Sequence, residues 1–197
     1  MQKPAPVDHP IFELLQARWS PRAFEPRPVD LATLQSLFEA ARWAPSSGNE
    51  QPWRFVVAPR DHEADFDRLL KALNASNQRW AVNAGALVLC TARSDFERNG
   101  KPNPYAWHDC GLALAQVLVE ATARSLSAHP MAGFDAALAR AACAVPAGFD
   151  PVSVTALGYG ADPAVLPEDL RTRELGERRR RPLGETLFLG TWDHPAA

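Results

Sequence analysis

The sequence of 197 residues has little cysteine and no long apolar run. Its three cysteines, Cys90, Cys110 and Cys143, lie far apart and form no CxxC pair. This spacing argues against a disulfide framework or a zinc site and is typical of reduced thiols in a cytoplasmic protein. No apolar stretch reaches the roughly 20 residues of a membrane-spanning helix, and residues 1–6 lack the apolar run of a secretory signal. We therefore expect a soluble, cytoplasmic protein without a membrane partner.

An excess of basic charge is also missing. The formal net charge is -2, whereas a general nucleic-acid binder needs a basic surface that displaces counterions from phosphates. Nucleic acid is therefore not an expected partner, and any anion site must be local. The apolar fraction of 46% and the charged fraction of 22% are those of an ordinary globular protein. This length suits one domain, which we place at residues 1–197.

Familiar catalytic and nucleotide-binding motifs are absent as well. The sequence has no P-loop, HExxH or GxSxG, and Gly158-Tyr159-Gly160 lacks the third glycine of a dinucleotide-binding turn. We expect no metal site. His108 and Asp109 could suggest a catalytic pair, but neighbours on a helix diverge by about 100 degrees, which predicts that they do not orient one another. We expect Cys110 in the core, and the sequence offers no serine or cysteine nucleophile.

The apolar spacing predicts helices that alternate with strands, and hence a mixed fold class. Asp30 is a predicted N-cap, because a helical pattern begins at Leu31 and Pro45 stops it. The helix predicted over 105–127 is apolar on nearly all sides, which indicates burial at a subunit interface. The other predicted helices cover residues 8–17, about 62–74, a short stretch around Trp80, and 134–144, and the predicted strands cover 55–58, 86–92, 152–159 and 186–189.

Four polar segments could carry chemistry. Residues 18–22 hold two arginines and a serine, which together suit a phosphate. Residues 44–53 offer amide side chains suited to the edge of a heteroaromatic ring. Residues 178–183 contain four arginines, and in extended chain Arg179 and Arg181 would face one side. Residues 127–135 join two predicted helices. Taken singly, each segment is more ordinarily a turn or a solvated charged surface.

Taken together and in order, these segments resemble the nitroreductase family of FMN-dependent oxidoreductases. The most specific match is the run from Ala44 to Trp53, APSSGNEQPW. It is preceded by Arg18-x-Ser20-x-Arg22 and followed by Ala156-Leu157-Gly158-Tyr159 and the arginine run closed by Pro182-Leu183. The resemblance extends from Arg18 to Phe188. It departs from the family at Gly160, where most relatives have proline, and in the short polar segment 93–104, which implies an open, permissive site.

The resemblance implies an α+β fold with a central, mostly antiparallel sheet flanked by helices. It also implies an intertwined homodimer around the long helix, in which a C-terminal strand near 184–192 adds to the partner's sheet and FMN lies at the interface. Arg18 and Ser20 are implied to contact the phosphate and ribityl chain, Arg179 and Arg181 the phosphate, Asn49 the ring edge, and Arg22 the N1–O2 side as an electrostatic stabiliser. The other implied contacts of the cofactor are Trp19, Pro45, Ser46, Ser47, His129, Met131 and Gly158.

The function that the resemblance implies is NAD(P)H-dependent reduction of nitroaromatics, quinones or similar electron-poor molecules by ping-pong hydride transfer. The flavin carries the chemistry, so no catalytic side chain is expected. Alternatives on the same fold are flavin fragmentation, dehalogenation, dehydrogenation of a peptide heterocycle, and FMN binding without turnover. A dimer that binds anions but no flavin is a further alternative. The sequence leaves open the acceptor, the choice between NADH and NADPH, and which arginines of residues 178–181 meet the phosphate.

Overall fold

A four-stranded antiparallel sheet forms the centre of the computed structural model, which describes residues 1–196. Its strands are β1 (Trp53–Pro59), β2 (Ala86–Arg93), β3 (Ser127–Met131) and β4 (Phe149–Gly158). Their order is β1-β2-β4-β3, and every neighbouring pair is antiparallel. Strand β2 is buried along almost its whole length, because helices cover both faces of the sheet.

Seven α-helices within residues 1–196 flank this sheet, so the α+β class expected from the resemblance is confirmed. They are α1 (Glu13–Ala17), α2 (Leu31–Arg42), α3 (Glu63–Ala72), α4 (Ala75–Ala81), α5 (Ala106–Ala123), α6 (Ala136–Ala142) and α7 (Glu168–Leu175). The predicted cap of α2 is confirmed, since Asp30 accepts a hydrogen bond from the amide of Thr33 at 2.8 Å. No helix within residues 1–196 has the length and apolarity to cross a bilayer.

The alternation of side chains along β2 divides the core into two halves. Leu87 and Leu89 pack on one face with residues of α3, α4 and α6. Ala86 and Cys90 pack on the other face with residues of α2 and α5. This is the period of two that a buried strand requires. Helix α5 therefore lies against one face of the sheet, and its buried residues include Cys110, as expected.

The long helix is shorter than predicted, and a strand takes the place of its last residues. Helix α5 ends at Ala123, where Ser125 adopts a φ of 58° and the amide of Leu126 turns back to the carbonyl of Ala121. The chain then enters β3, although the sequence predicts that residues 127–135 connect two helices. Pro130 obscured this strand, but proline is tolerated at a sheet edge, where β3 lies.

The C-terminal region also differs from the prediction. Helix α7 was missed because it is predominantly polar and only Leu170 and Glu174 are buried. The predicted strand 186–189 does not join the sheet: residues 183–185 form a single 3-10 turn, and Phe188 makes only an isolated bridge with Pro195. The addition of a strand near 184–192 to a partner's sheet remains a prediction about the dimer.

The chain after α1 is fixed at the end of β4. The amide of Glu25 donates to the carbonyl of Tyr159 at 2.9 Å, and the amide of Ala161 donates to the carbonyl of Ala23 at 3.0 Å. The end of β4 is also in tight contact with the chain that precedes β2, because a Cβ on Gly158 would lie 2.7 Å from the amide nitrogen of Gly85. These contacts hold residues 18–22 beside the ends of β3 and β4.

Candidate functional site

Arg178 connects the C-terminal segment to the first candidate segment. Its Nη1 donates to the carbonyls of Lys3 at 2.7 Å and Gln16 at 3.0 Å, and its Nη2 donates to the carbonyl of Arg18 at 2.9 Å. Three backbone carbonyls thus hold one guanidinium. The start of the chain, the end of α1 and the arginine run are thereby brought together.

Three arginines form a cationic cluster at this junction: Arg18, Arg178 and Arg180. Burial lowers the pKa of Arg18, and the nearby charge of Arg180 lowers it further. Burial likewise lowers the pKa of Arg178, followed by the charges of Arg18 and Arg180. No carboxylate within residues 1–196 forms an ion pair with any of the three. Uncompensated guanidiniums so close to one another favour an anion, and a phosphate matches their planar donors.

Arg179 and Arg181, predicted as the phosphate contacts, face solvent instead. Their side chains are 83% and 81% exposed and pair with Glu177 at 2.9 Å and Glu185 at 3.8 Å. It is Arg178 and Arg180 that lie beside Arg18. The carbonyls that bind Arg178 lie more than 150 residues away in sequence and turn this arginine inward, whereas Arg180 is exposed and lies close enough to Arg18 to lower its pKa.

A cavity of about 320 Å³ lies next to Arg18 and Trp19. Residues 1–4 form one wall, and Thr122 and Ser125 at the C-terminal end of α5 form part of another. The ammonium of Lys3 lies 5.2 Å above the ring of Trp19. Ser20 is half-buried in the same loop. The predicted residues Arg18, Trp19 and Ser20 are therefore together, beside the arginine cluster.

Arg22 lies beside a buried carboxylate. The amides of Arg22 and Ala23 donate to Oε1 of Glu174 at 2.7 and 3.1 Å. The Nη1 of Arg22 lies 3.6 Å from the other carboxylate oxygen, Oε2. The side chain of Glu174 is 1% exposed and that of Arg22 is 29% exposed. Sequence reasoning missed Glu174, since one glutamate in a polar helix carries no signal of burial.

His129 supports the loop of residues 18–22 through its imidazole ring. Its Nδ1 lies 2.9 Å from the carbonyl of Pro21, which can only accept, so this nitrogen carries the proton. Its ring packs on Trp80 at 4.6 Å between centroids. Burial is the main cause that lowers the pKa of His129 to about 4, and the charge of Arg22 adds to it. His129 is thus a neutral residue at pH 7 that holds the loop.

Met131 and Gly158, two of the predicted cofactor contacts, are packed against other parts of the chain. Met131 is 3% exposed and belongs to the core on the α3 side of the sheet. Its side chain is therefore not presented to a ligand, which corrects the prediction for this residue. Gly158 is in contact with Gly85 and Phe24. The close packing of these chain segments therefore accounts for a glycine at position 158 without any contact to a cofactor.

The loop over residues 45–49 is held by a buried aspartate. The amide of Ser47 donates to Oδ2 of Asp109 at 2.9 Å, and the amide of Gln51 donates to Oγ of Ser46 at 3.0 Å. Asn49 adopts a φ of 57°, and Gly48 and Gln51 are also left-handed. Asn49 and Pro45 are exposed. The loop thus exposes Asn49 and leaves Ser46 and Ser47 half-buried, on a backbone that is strained at Asn49 and Gln51.

His108 and Asp109 do contact one another, so the prediction that they diverge was wrong. The Nδ1 of His108 lies 2.9 Å from Oδ1 of Asp109. The 100-degree rule concerns the directions of Cα–Cβ bonds, and the two side chains bend towards each other at the exposed start of α5. Asp109 is 2% exposed and also binds Ser47. The pair therefore belongs to the support of the loop.

The structure divides the predicted residues into two groups at opposite ends of α5. Ser47 is bound to Asp109 in the first turns of the helix, whereas Arg18 and Trp19 share a cavity with Thr122 in its last turn. Asp109 and Thr122 are about 20 Å apart along the axis at 1.5 Å per residue. One chain therefore does not bring Asn49 to the arginine cluster.

The sheet order, the flanking helices and these two loops define the class of fold as α+β with a candidate anion site at one end of its long helix. The sequence model of the Nitroreductase family matches residues 15–159 of this chain. The chain belongs to this family.

Individual proteins show the same likeness. An uncharacterised 15.4 kDa protein of Mycolicibacterium smegmatis is 37% identical over 149 residues, which cover 72% of this chain and 99% of that protein. A protein of Archaeoglobus fulgidus with the provisional name NADH dehydrogenase/NAD(P)H nitroreductase is 28% identical over 77% of this chain and 86% of its own length. The crystal structure of an oxidoreductase containing FMN is 33% identical, with a TM-score of 0.91 and coverage of 96% of both chains.

Proposed function

We propose that this chain is an FMN-dependent oxidoreductase that takes electrons from NAD(P)H and passes them to a small electron-poor acceptor. The observation that carries the proposal is the cluster of Arg18, Arg178 and Arg180, which has no carboxylate partner among the described residues. Membership of the nitroreductase family and the FMN in the similar crystal structure support the cofactor. The name of the Archaeoglobus fulgidus relative supports NAD(P)H.

The donors at the arginine cluster fit the phosphate of FMN. A phosphate monoester carries about two negative charges, and its oxygens match the planar fork of a guanidinium. Arg18 and Arg180 would bind this phosphate, Arg178 would hold the backbone of Arg18 in place, and Ser20 would donate its hydroxyl to the phosphate or the ribityl chain. Bound FMN supplies the hydride chemistry, so the side chains need only bind, orient and balance charge.

We infer a homodimer from the division of the site between the two ends of α5. At about 1.3 Å per bond, the seven bonds from phosphorus to ring nitrogen N10 span only about 9 Å. Ser47, two residues before Asn49, is bound to Asp109, which lies about 20 Å along the axis of α5 from Thr122 beside Arg18. Antiparallel packing of two α5 helices about a two-fold axis would bring Asn49 and Ser47 of a second copy to the ring of an FMN held by Arg18. Two equivalent sites would result.

Arg22 would stabilise negative charge on the ring. Two-electron reduction leaves negative charge near N1 and O2, and a nearby cation favours that state. Arg22 belongs to the same loop as Arg18 and is partly exposed. His129 is not a proton donor in this proposal, because its one ring proton is bound to Pro21 and its pKa is lowered to about 4.

We propose a ping-pong order for the reaction, in which nicotinamide and acceptor use the same face of the ring in turn. The short polar segment 93–104 forms only turns and one isolated bridge, between Asp95 and Pro102, and its Arg98 lies against Gly48 and 3.8 Å from Glu50. A site that so short a segment would cover only in part favours small, planar, electron-poor acceptors such as nitroaromatics and quinones.

The visible spectrum of the purified protein tests this proposal. We expect a flavin spectrum that identifies as FMN after release and that bleaches anaerobically with NADH or NADPH. A flavin that neither nucleotide bleaches would indicate binding without turnover. A colourless protein that takes up no added FMN would overturn the proposal. Arg18→Ala should lose FMN while remaining folded by circular dichroism, and unchanged FMN affinity in that variant would remove Arg18 from the phosphate site.

A further inference from the structure

Glu174 is a buried acid with an incomplete set of partners. It lies near the end of α7, and its side chain is 1% exposed. Its Oε1 accepts from the amides of Arg22 and Ala23 at 2.7 and 3.1 Å, whereas its Oε2 has no hydrogen-bond partner. Among the described residues the cation that pairs with this carboxylate is Arg22, whose Nη1 lies 3.6 Å from Oε2, while the ammonium of Lys3 binds the backbone carbonyl of Glu174 at 2.6 Å. This separation allows strong electrostatic attraction but exceeds a good hydrogen bond.

A buried carboxylate at this place is expensive for the fold. Glu174 follows Leu170 by one turn of α7, and the two are the buried residues of that helix. A neutral side chain could accept the same two amide hydrogens without the desolvation cost of a charge. The fold would therefore lose little with glutamine at this position. The hydrogen bonds to the two amides therefore do not explain why this side chain is charged. Arg22 is the only side chain among residues 1–196 that forms an ion pair with it.

We propose that Glu174 is a positioning residue that sets how strongly the charge of Arg22 acts on the bound flavin, and hence the balance between oxidised and reduced FMN. This inference rests on the proposed function. Glu174 fixes the backbone of Arg22 through Oε1 and attracts its guanidinium through Oε2. The same guanidinium would stabilise negative charge on the reduced ring. Glu174 therefore competes with the reduced ring for the cation, which keeps the flavin easier to reoxidise by an acceptor.

The test compares the dissociation constants of oxidised and reduced FMN in Glu174→Gln, which retains an acceptor for both amides and removes the charge. We expect reduced FMN to gain affinity relative to oxidised FMN by about tenfold, because the charge of Arg22 is no longer offset. The spectroscopic reduction potential reports the same ratio and should rise. A ratio unchanged from the wild type would overturn the proposal.

A double-mutant cycle shows whether the effect passes through Arg22. Arg22→Gln alone should shift the ratio in the opposite direction. In the Arg22→Gln background, Glu174→Gln should change the ratio by about twofold or less. Only the direct effect of the Glu174 charge on the flavin remains there, and it acts over a longer distance. Equal effects in both backgrounds would overturn the role through Arg22. Glu168→Gln is the matched control: it removes the same charge from the exposed start of α7 and should leave the ratio unchanged.

A measurement without FMN separates this inference from the proposed function. In the flavin-free protein, Glu174→Gln should unfold near the wild-type denaturant midpoint and Glu174→Ala well below it, because alanine leaves two amides without an acceptor. If the wild type binds no FMN at all, the proposed function and this inference both fall. If the wild type binds and turns over FMN but Glu174→Gln leaves the ratio unaltered, only this inference falls.

Discussion

The imidazole of His129 donates from Nδ1 to the carbonyl of Pro21 across 2.9 Å. This bond joins the edge strand β3 to the loop that carries Arg18, Ser20 and Arg22. The ring also packs against Trp80, with an angle of 38° between the two planes. The position of the loop therefore depends on a histidine that is neutral in the folded protein.

Acid should weaken the fold through His129. Its pKa is about 4 in the folded state against 6.5 ordinarily, mainly because of burial. Between these values the unfolded chain binds more protons at His129 than the folded one, so the contribution of His129 to stability falls as pH drops from about 6.5 to about 4 and changes no further below. The loss is up to about 3 kcal/mol. Urea unfolding across this range measures it.

The matched variant for this prediction is His129→Asn, whose amide can still donate to Pro21 but does not titrate. Its stability should depend much less on pH between 4 and 6.5. His62→Asn, which changes an exposed histidine, should behave as the wild type. A wild-type profile retained in His129→Asn would show that other groups cause the acid sensitivity.

Gly158→Ala should destabilise the protein by about 1–3 kcal/mol. The new Cβ would lie 2.7 Å from the amide nitrogen of Gly85 and 3.3 Å from the ring of Phe24, and backbone cannot give way cheaply. Gly160→Ala is the control two residues away, because its Cβ would meet only the flexible hydroxyl of Ser127 at 3.1 Å. Thermal unfolding compares them, and equal effects would contradict the packing role of Gly158.

Arg180→Ala should weaken FMN binding by about 10- to 100-fold, the value of one charge-assisted hydrogen bond to phosphate. Arg181→Ala removes the same charge from a side chain that is 81% exposed and paired with Glu185, and should cost less than about threefold. Titration of the flavin-free protein with FMN measures both. A larger loss for Arg181→Ala would restore the sequence-based choice of Arg179 and Arg181.

Asp109→Ala should loosen the loop over residues 45–49 and cost about 1–3 kcal/mol, since the amide of Ser47 loses its acceptor. Asp109→Asn keeps an acceptor and should retain most of the stability. Amide hydrogen exchange at Ser47 should accelerate in the alanine variant alone. Similar exchange in both variants would mean that the charge of Asp109, and not its hydrogen bond, holds the loop.

Local pattern was enough to predict most of the elements. The cap at Asp30 and the apolar run 86–92 depend on neighbouring residues, and both were found as predicted. Failures came where long-range contacts override local preference. Strand β3 contains a proline but pairs with β4, and α7 is polar but buries Leu170 and Glu174.

The candidate site shows the same division. The sequence by itself determined the family, because the run from Ala44 to Trp53 and the arginines around it recur in order, and each motif needs only neighbouring residues. Tertiary structure alone decided that Arg178 and Arg180 face Arg18, that Glu174 lies beside Arg22, and that Asn49 is at the far end of α5. The physical reason is that these hydrogen bonds and this burial depend on residues 62 to 175 positions apart, whose proximity only the packed chain creates.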